Sequence, residues 1–212
     1  MSAPGHTTPL RSATFQNLQL NAGIFIKNAD YSSIANASTL KTAIANLIAG
    51  TSSALGTDAK ILGATRGGGS FTVTREIRVP EADGRRYGFK GDSFVDSVEA
   101  QLSTTLIEIT KDTFLTALAG ASATGSSPKE TIKLGTAIAT TDYLTNVCWI
   151  GDMADGKLIL ICLKNAINTA DLTLTFTDKG EGTLPVEFHA KQDGVNDYDN
   201  APFEIVYFTP AT

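Results

Sequence analysis

This chain of 212 residues has 42% apolar residues, which is enough for one large domain with a real core. Its formal net charge is -5 and only 18% of its residues are charged, so we expect a polar but weakly charged surface. Proteins that hold nucleic acid through its phosphates need a basic face, and this composition argues against that class.

The start of the chain has no periodic pattern. Residues 1–12 contain prolines and a glycine, which predicts a mobile arm on a single domain that spans residues 1–212. No basic segment followed by an apolar core is visible there, so we expect assembly in the cytosol. A first strand follows, in which every second residue is apolar: Leu18, Leu20, Ala22 and Ile24.

An amphipathic helix is predicted next. Apolar side chains recur at helical spacing: Leu40, Ala43, Ile44, Leu47 and Ile48. Ser38 or Thr39 is available as the N-cap, and Gly50 follows the last turn. We expect this helix to lie against a sheet.

Two long strands joined by a charged loop are predicted at the centre of the chain. From Ser70 to Val79 every second residue is apolar, apart from Arg75. From Val98 to Ile109 the alternation returns and then changes phase, which predicts a β-bulge near residues 103–105. The loop from Pro80 to Asp96 is too long for a tight hairpin, and we expect its basic residues to be exposed.

Arg75 occupies a position on the apolar face of its strand, where an unpaired charge would be costly. Two interpretations are open. Arg75 pairs with a carboxylate at a subunit boundary, or its end of the strand emerges from the core. The second interpretation requires no partner, whereas the first implies self-association.

The second half of the chain predicts one helix and several strands. Asp112 is available to cap a helix that turns Phe114, Leu115 and Leu118 inward. Residues 121–129 are rich in Ser, Gly and Ala and predict an exposed loop. The strands are predicted at 143–151 and 157–164, which form a hairpin turned by Asp155-Gly156; at 172–177 and 186–190, which form a second hairpin; and at 203–208.

These elements predict a mainly β fold, an antiparallel β-sandwich or half-barrel of about ten strands with one or two flanking helices. The run from Leu158 to Leu163 is apolar at every position, so its strand should be covered on both faces. Cys148 and Cys162 flank the Asp155-Gly156 turn and could face each other. We expect both to remain thiols in a reducing compartment.

No pattern in the sequence points to catalysis, and we expect neither enzyme activity nor a cofactor. The glycines after Arg66 lead into a strand and lack the Gly-Lys-Ser/Thr that a phosphate-binding loop requires. The oxygen-rich stretch from Asp193 to Asn200 misses the spacing of an EF-hand. His189 lies on the polar side of its strand without a serine or cysteine elbow nearby.

Several stretches are similar to the major tail tube protein of long-tailed bacteriophages. They are the run ILGATRGGGSF at 61–71, the Asp83-Gly84 loop, the strand at 98–110 with the helix behind it, FQNLQLNAGIF at 15–25, FHAKQD at 188–193 and NAPFEI at 200–205. The resemblance covers most of the chain.

The resemblance implies a structural virion protein. Homohexameric rings of it would stack into a hollow tail tube, assembled in the host cytoplasm, through which DNA passes without sequence-specific binding. Its partners would be copies of itself, the tape measure protein and the tail-terminator or tip proteins, with no membrane. We expect a polar strand face to line the bore: Thr72, Thr74, Glu76, Glu99 and Gln101.

The central loop is the predicted contact between subunits or rings, because aromatic residues beside arginines are typical of interface hot spots. The residues concerned are Arg75, Arg85, Arg86, Tyr87, Phe89, Lys90 and Phe94. Residues 66–90 hold six bases against three acids, and residues 151–212 hold ten acids against four lysines, so a basic loop could meet an acidic end. A solvated loop whose aromatics fold back on their own sheet is the alternative.

Three other functions remain open. A virion decoration or adhesin β-sandwich would have a compact chain, short loops and no self-assembly. A bacterial secretion-system tube protein would share the tube architecture. A β-rich hydrolase would need a convergent acid-base pair, which the sequence does not show.

Overall fold

The computed structural model describes residues 18–81, 83–176, 178–194 and 200–211. Within them the chain forms ten strands and two α-helices, so the fold is mainly β, as the sequence predicts. The strands are β1 (Gln19–Lys27), β2 (Lys60–Ile61), β3 (Thr65–Arg78), β4 (Phe94–Leu106), β5 (Ala121–Ser126), β6 (Lys129–Leu134), β7 (Leu144–Met153), β8 (Leu158–Asn168), β9 (Leu184–His189) and β10 (Phe203–Phe208). The helices are α1 (Ala37–Ile48) and α2 (Lys111–Ala117), and a 3-10 turn covers Thr140–Asp142. The mobile arm predicted for residues 1–12 lies outside the described residues.

Two antiparallel sheets share β8. Sheet A has the order β2-β1-β7-β8, with β10 on the far side of β8, and sheet B has the order β8-β9-β4-β3. Leu158 to Leu163 pair with β10, whereas Ile167 and Asn168 pair with β9. The predicted antiparallel sandwich is therefore confirmed, and its sheets do not close into a barrel within the described residues.

Two apolar cores lie on opposite sides of sheet A. Leu160 and Cys162 of β8 face the core under α1, and Leu163 and Ala166 face the core between the two sheets. The prediction that this strand is covered on both faces is confirmed. Because neighbouring residues of β8 serve different cores, the strand has no polar face.

The predicted helix α1 forms, but with a different cap. Asn36, rather than Ser38 or Thr39, is the N-cap: its side chain accepts a 2.9 Å hydrogen bond from the Thr39 amide, and the Thr39 hydroxyl accepts a 3.1 Å bond from the Asn36 amide. Asparagine is one of the strongest N-cap residues, so this reciprocal pair begins the helix earlier than predicted. Leu40 is buried, while Ile48 is exposed on the last turn.

The prediction that Asp112 caps α2 was wrong. Thr110 is the N-cap, and its hydroxyl accepts a 3.2 Å hydrogen bond from the Thr113 amide. Asp112 instead forms a 2.7 Å ion pair with Lys27 of β1, which is only 6% exposed and also donates a 2.6 Å hydrogen bond to Thr116. A buried ammonium needs such partners, so this pair attaches α2 to sheet A.

The inward face of α2 also differs from the prediction. The buried residues are Thr113, Thr116 and Ala117, whereas Phe114, Leu115 and Leu118 are only half-buried. Polar threonines tolerate burial here because their hydroxyls bond to the backbone, as Thr116 does to the Asp112 carbonyl at 2.7 Å. The hydrophobic pattern alone therefore predicts the wrong buried face for α2.

Residues 121–129, predicted to be a loop, form most of the hairpin β5–β6. Within the described residues its strands pair only with each other, and most of their side chains are exposed. A hairpin with neither face covered needs no apolar alternation, which explains why the sequence pattern did not show it.

The strand predicted at residues 172–177 does not form in the described part of that range. A single bridge joins Thr175 to Thr183, and β9 pairs with β4 and, at its end, with β8. The predicted second hairpin is therefore absent. Leu172 and Phe176 remain exposed.

The bulge predicted in β4 lies elsewhere. Ala100, Leu102 and Leu106 are all buried without a change of phase, and the strand ends before Ile107. The pairs Thr65–Leu106 and Gly69–Thr104 instead place the extra residues on β3, at positions 66–68. Gly67 and Gly68 adopt positive φ angles of +77° and +75° there, a conformation that glycine adopts without strain.

The first and last strands bury other residues than the alternation suggests. In β1 the buried residues are Phe25, Ile26 and Lys27, which lie at its end, while Leu18 and Leu20 are exposed. In β10 the side chains toward α1 are Val206 and Phe208, and the alternate residues Ile205 and Tyr207 are exposed on the side of sheet B. Phe203 packs there against Phe71, with ring centroids 5.7 Å apart.

The two cysteines lie directly opposite each other on neighbouring strands. Cys148 and Cys162 are register partners in β7 and β8, so the predicted hairpin and their opposition are both confirmed. Both are free thiols with no exposed surface. The hydrogen bond with Cys162, together with burial, raises the pKa of Cys148 well above its ordinary value.

We expect neither thiol to react with iodoacetamide in the folded protein, because both side chains are fully buried and the reagent cannot reach them. The bond between the two thiols raises the pKa of Cys148 and lowers the pKa of Cys162, so the protection of Cys162 comes from burial alone. Both should react once urea unfolds the chain. Mass spectrometry of the alkylated protein checks this. Rapid modification under native conditions, or a disulfide in the non-reduced protein, would contradict it.

Asp112→Asn should lower the free energy of unfolding by about 2 kcal/mol, because it leaves the buried Lys27 ammonium without a counter-charge. Lys27→Met should cost less, since the Asp112 carboxylate is 46% exposed and water can solvate it. Urea denaturation of both variants measures the difference. A smaller loss for Asp112→Asn than for Lys27→Met would show that the ammonium does not depend on this partner.

Candidate assembly surface

The structure brings the five predicted bore-lining residues together on one face of the β3–β4 hairpin. Thr72 pairs with Gln101, Thr74 pairs with Glu99, and Glu76 pairs with Ser97. Residues paired in antiparallel strands share a face, so these side chains form one polar strip on the outer side of sheet B. We call this strip the polar face.

The polar face extends beyond the five residues that were predicted to line the bore. Ser70 and Ser103 pair in the same register, with their hydroxyl oxygens 2.8 Å apart. On the next strand Gln101 pairs with His189, whose Nε2 lies 2.9 Å from Glu187 Oε1. Once β9 is known to pair with β4, the same alternation predicts these residues; the pairing itself was not predicted.

The charges of the polar face are mostly carboxylates. Between Ser70 and Glu76 on β3, and across the paired parts of β4 and β9, the face has no Lys or Arg. Arginines occur at its two ends, where Arg66 pairs with Glu181 and Arg78 pairs with Asp96. The result is a surface that hydrogen-bonds water but offers few contacts to phosphate.

The outer half of the β3–β4 hairpin projects beyond the sandwich. The β3 residues from Arg75 to Arg78 and the β4 residues from Phe94 to Glu99 are all exposed. The uncovered apolar side chains are Ile77, Val79, Phe94, Val95 and Val98. Of the two interpretations of Arg75, the single chain has the one in which the strand end emerges from the core.

The tip loop, residues 79–93, is held by an internal clasp. Arg85 forms an ion pair with Asp92 and donates hydrogen bonds to the carbonyls of Pro80 (2.6 Å) and Tyr87 (3.2 Å). Asp92 also accepts a 2.7 Å bond from the Phe89 amide. The prediction that Arg85 is exposed was wrong, because its guanidinium satisfies the loop's own carbonyls.

The other predicted contact residues of the tip loop are exposed. Tyr87 is 82% exposed and Phe89 is 71% exposed, although the Arg85 guanidinium lies 5.9 Å from the Phe89 ring centroid. Arg86 and Lys90 are exposed and form no ion pair within the described residues. The alternative interpretation required the aromatic side chains to fold back on their own sheet. Their exposure shows that they do not.

The glycine run after Arg66 and the oxygen-rich stretch from Asp193 to Asn200 are the other sites weighed from the sequence. The glycines after Arg66 form the bulge of β3, and no helix begins there. No group of three His, Cys, Asp or Glu side chains in the described residues could hold a metal ion. Most of the stretch from Asp193 to Asn200 lies outside the described residues. No helix within the described residues is long and apolar enough to cross a membrane.

Comparison with known proteins gives no match, either to a protein-family model or to a curated protein.

Asp92→Asn should open the tip loop without unfolding the protein, because it removes the charge that holds Arg85 and weakens the bond from the Phe89 amide. Limited trypsin digestion should then cut after Arg86 and Lys90 several times faster, while the melting temperature stays the same. Arg86→Gln, which leaves the clasp intact, is the matched control for cutting at Lys90. Equal cutting at Lys90 in parent and Asp92→Asn would contradict the clasp.

Proposed function

We propose that this chain is the tail tube subunit of a long-tailed bacteriophage. Copies of it close into rings, hexameric in the family it resembles, and the rings stack into a hollow tube for genome passage. The protein is not an enzyme and needs no cofactor. It assembles in the host cytoplasm and resides in the virion tail, where the tape measure and the terminator or tip proteins are its further partners.

The observation that carries this proposal is the β3–β4 hairpin. One side of the hairpin carries the polar face. Its outer half leaves the apolar side chains Ile77, Val95 and Val98 exposed. An exposed apolar patch on a soluble chain is typical of an interaction surface. A repeating assembly would cover this patch while keeping the polar face toward water.

The free strand edges support the same proposal. β3 is the last strand of sheet B, and the outer edge of β10 has no partner within the described residues. Long free edges invite pairing with other chains, and ring closure removes them. A lone subunit would keep both edges exposed.

The polar face suits a bore through which DNA slides. Each Lys or Arg on such a wall would add a phosphate contact that must be broken as the DNA moves. The proposed wall presents threonine, serine and glutamine with the carboxylates Glu76 and Glu99. The wall therefore repels phosphate weakly and offers no lysine or arginine to bind it.

Of the alternatives, the decoration protein and the hydrolase fit these observations less well. A decoration or adhesin sandwich should be compact with short loops, whereas this chain has a projecting hairpin and a clasped tip loop. A secretion-system tube protein is the second candidate, because the polar face and the free edges would serve it equally well. A β-rich hydrolase would require a convergent acid-base pair.

Negative-stain microscopy of the purified chain, with sedimentation over a concentration series, tests the proposal. Rings or tubes are the expected result. Single particles at every concentration would reject both tube functions and favour the decoration protein.

Arg86→Glu combined with Lys90→Glu should weaken assembly, because both cations are exposed on the tip loop and have no partner within the described chain. The monomer should keep its stability within about 0.5 kcal/mol. Assembly of the parent protein should also weaken as salt rises. Sedimentation across a salt series measures both effects.

Lys129→Glu combined with Lys133→Glu is the control for this variant. It makes the same change in net charge on the exposed hairpin β5–β6. If both double variants assemble like the parent at every salt concentration, the tip loop is only a connection between strands.

A further inference from the structure

An apolar cleft lies beside β3, where sheet B stops covering sheet A. Its volume is about 580 Å³, and it opens to solvent on one side. The floor is formed by side chains of sheet A: Phe25, Trp149, Ile159, Ile161 and Tyr207. Tyr207 is 61% exposed, so this end of the inner face of sheet A lacks the cover that the rest receives from sheet B.

Specific contacts hold Trp149 in the floor of the cleft. Trp149 donates a 2.8 Å hydrogen bond from Nε1 to the Ala22 carbonyl, and its ring lies against two glycines. A Cβ at Gly23 or at Gly151 would come within 2.4 Å of that ring. The two positions therefore require glycine for the indole to lie flat under the opening.

The wall of the cleft is the free edge of β3. Gly67 to Phe71 line the opening, and β3 pairs with β4 on its other side only. An additional strand paired to this edge would lie directly above Trp149 and Tyr207. Its alternate residues would face the cleft, and the others would extend the row of Ser70, Thr72 and Thr74.

One segment of the chain has the composition of that missing strand. In residues 171–176 apolar and polar residues alternate as Leu172, Thr173, Leu174, Thr175 and Phe176. Within one chain the segment forms only the bridge from Thr175 to Thr183, and Phe176 is 81% exposed. Threonines and apolar residues in alternation favour a half-buried strand, which this chain alone does not form.

The segment is displaced from the edge of its own β3. Its bridge to Thr183 ties it to the chain just before β9, and β4 lies between β9 and β3 in sheet B. A second copy placed edge to edge would bring its segment to the free edge of β3 directly. The pairing is heterologous, so it continues from copy to copy.

We propose that residues 171–176 of one copy add a strand to the outer edge of β3 of the next copy, with Leu172, Leu174 and Phe176 filling the apolar cleft over Trp149. Thr173 and Thr175 then extend the polar face across the boundary between the copies. This inference rests on the proposed tube function and names the two surfaces that meet in it.

The first experiment removes the donor. Leu172→Gln combined with Phe176→Gln should abolish rings and tubes in microscopy while leaving the monomer's melting temperature unchanged, because both side chains are exposed. Leu172→Ile combined with Phe176→Tyr is the matched control, which keeps the apolar groups and should assemble.

The second experiment restores the donor as a peptide. Residues 170–178, added as a synthetic peptide to the Gln variant, should shift the fluorescence of Trp149, the chain's single tryptophan, to the blue and reach saturation. A peptide with N-methylated Leu174 should bind at least about tenfold more weakly. The Thr175 N–H and C=O face Thr183, so the Leu174 N–H faces the opposite edge, and methylation removes this donor while keeping the side chain. Tyr207→Asp in the acceptor should weaken binding equally, and Tyr207→Phe should not.

The outcomes separate this inference from the proposed function. If the parent assembles and the Gln variant assembles equally well, the donor assignment is wrong and the tube function stands. The donor assignment is equally wrong if the peptide gives no shift, or if a peptide of residues 8–17 gives the shift in its place. If the parent itself never assembles, both proposals fail.

Discussion

The structure depends on the burial of most of β8, in which eight of the eleven residues are buried. Its backbone hydrogen-bonds to β7 and β10 along one half and to β9 at its end, while its side chains fill the cores above and below. The strand is apolar at every position from Leu158 to Leu163, where both faces are covered, whereas Lys164 and Asn165 are partly exposed. Both sheets are fixed relative to each other because they share this one segment.

This burial explains which parts of the fold were predicted correctly from the sequence. The run from Leu158 to Leu163 indicated a doubly covered strand, and the Asp155-Gly156 turn placed β7 beside it with the two cysteines opposed. The strict alternation around Thr72 and Thr74 likewise placed the polar residues on one face. In these segments the local pattern and the packing demand the same arrangement, so the pattern is sufficient.

The predictions failed where a specific side-chain contact, and not the local hydrophobic pattern, decides the arrangement. Asp112 has the chemistry of a helix cap, yet Lys27 on another strand takes its carboxylate. Arg85 lies among exposed charges, but the carbonyls of its own loop bind it. The segment from Leu172 to Phe176 has a strand pattern, yet within the described residues its only ladder contact is the bridge from Thr175 to Thr183. Hydrophobic periodicity reports none of these specific contacts.

The Arg85 clasp has a consequence for the energetics of association. A loop of this length normally loses much conformational freedom when it docks, and that loss weakens binding. Here the ion pair with Asp92 and the two bonds to backbone carbonyls restrict the loop before any partner arrives. If copies associate through the tip loop, as proposed, this restriction would lower the entropic cost of the first contacts, and a polymer would begin to grow at lower subunit concentrations than with an unrestrained loop.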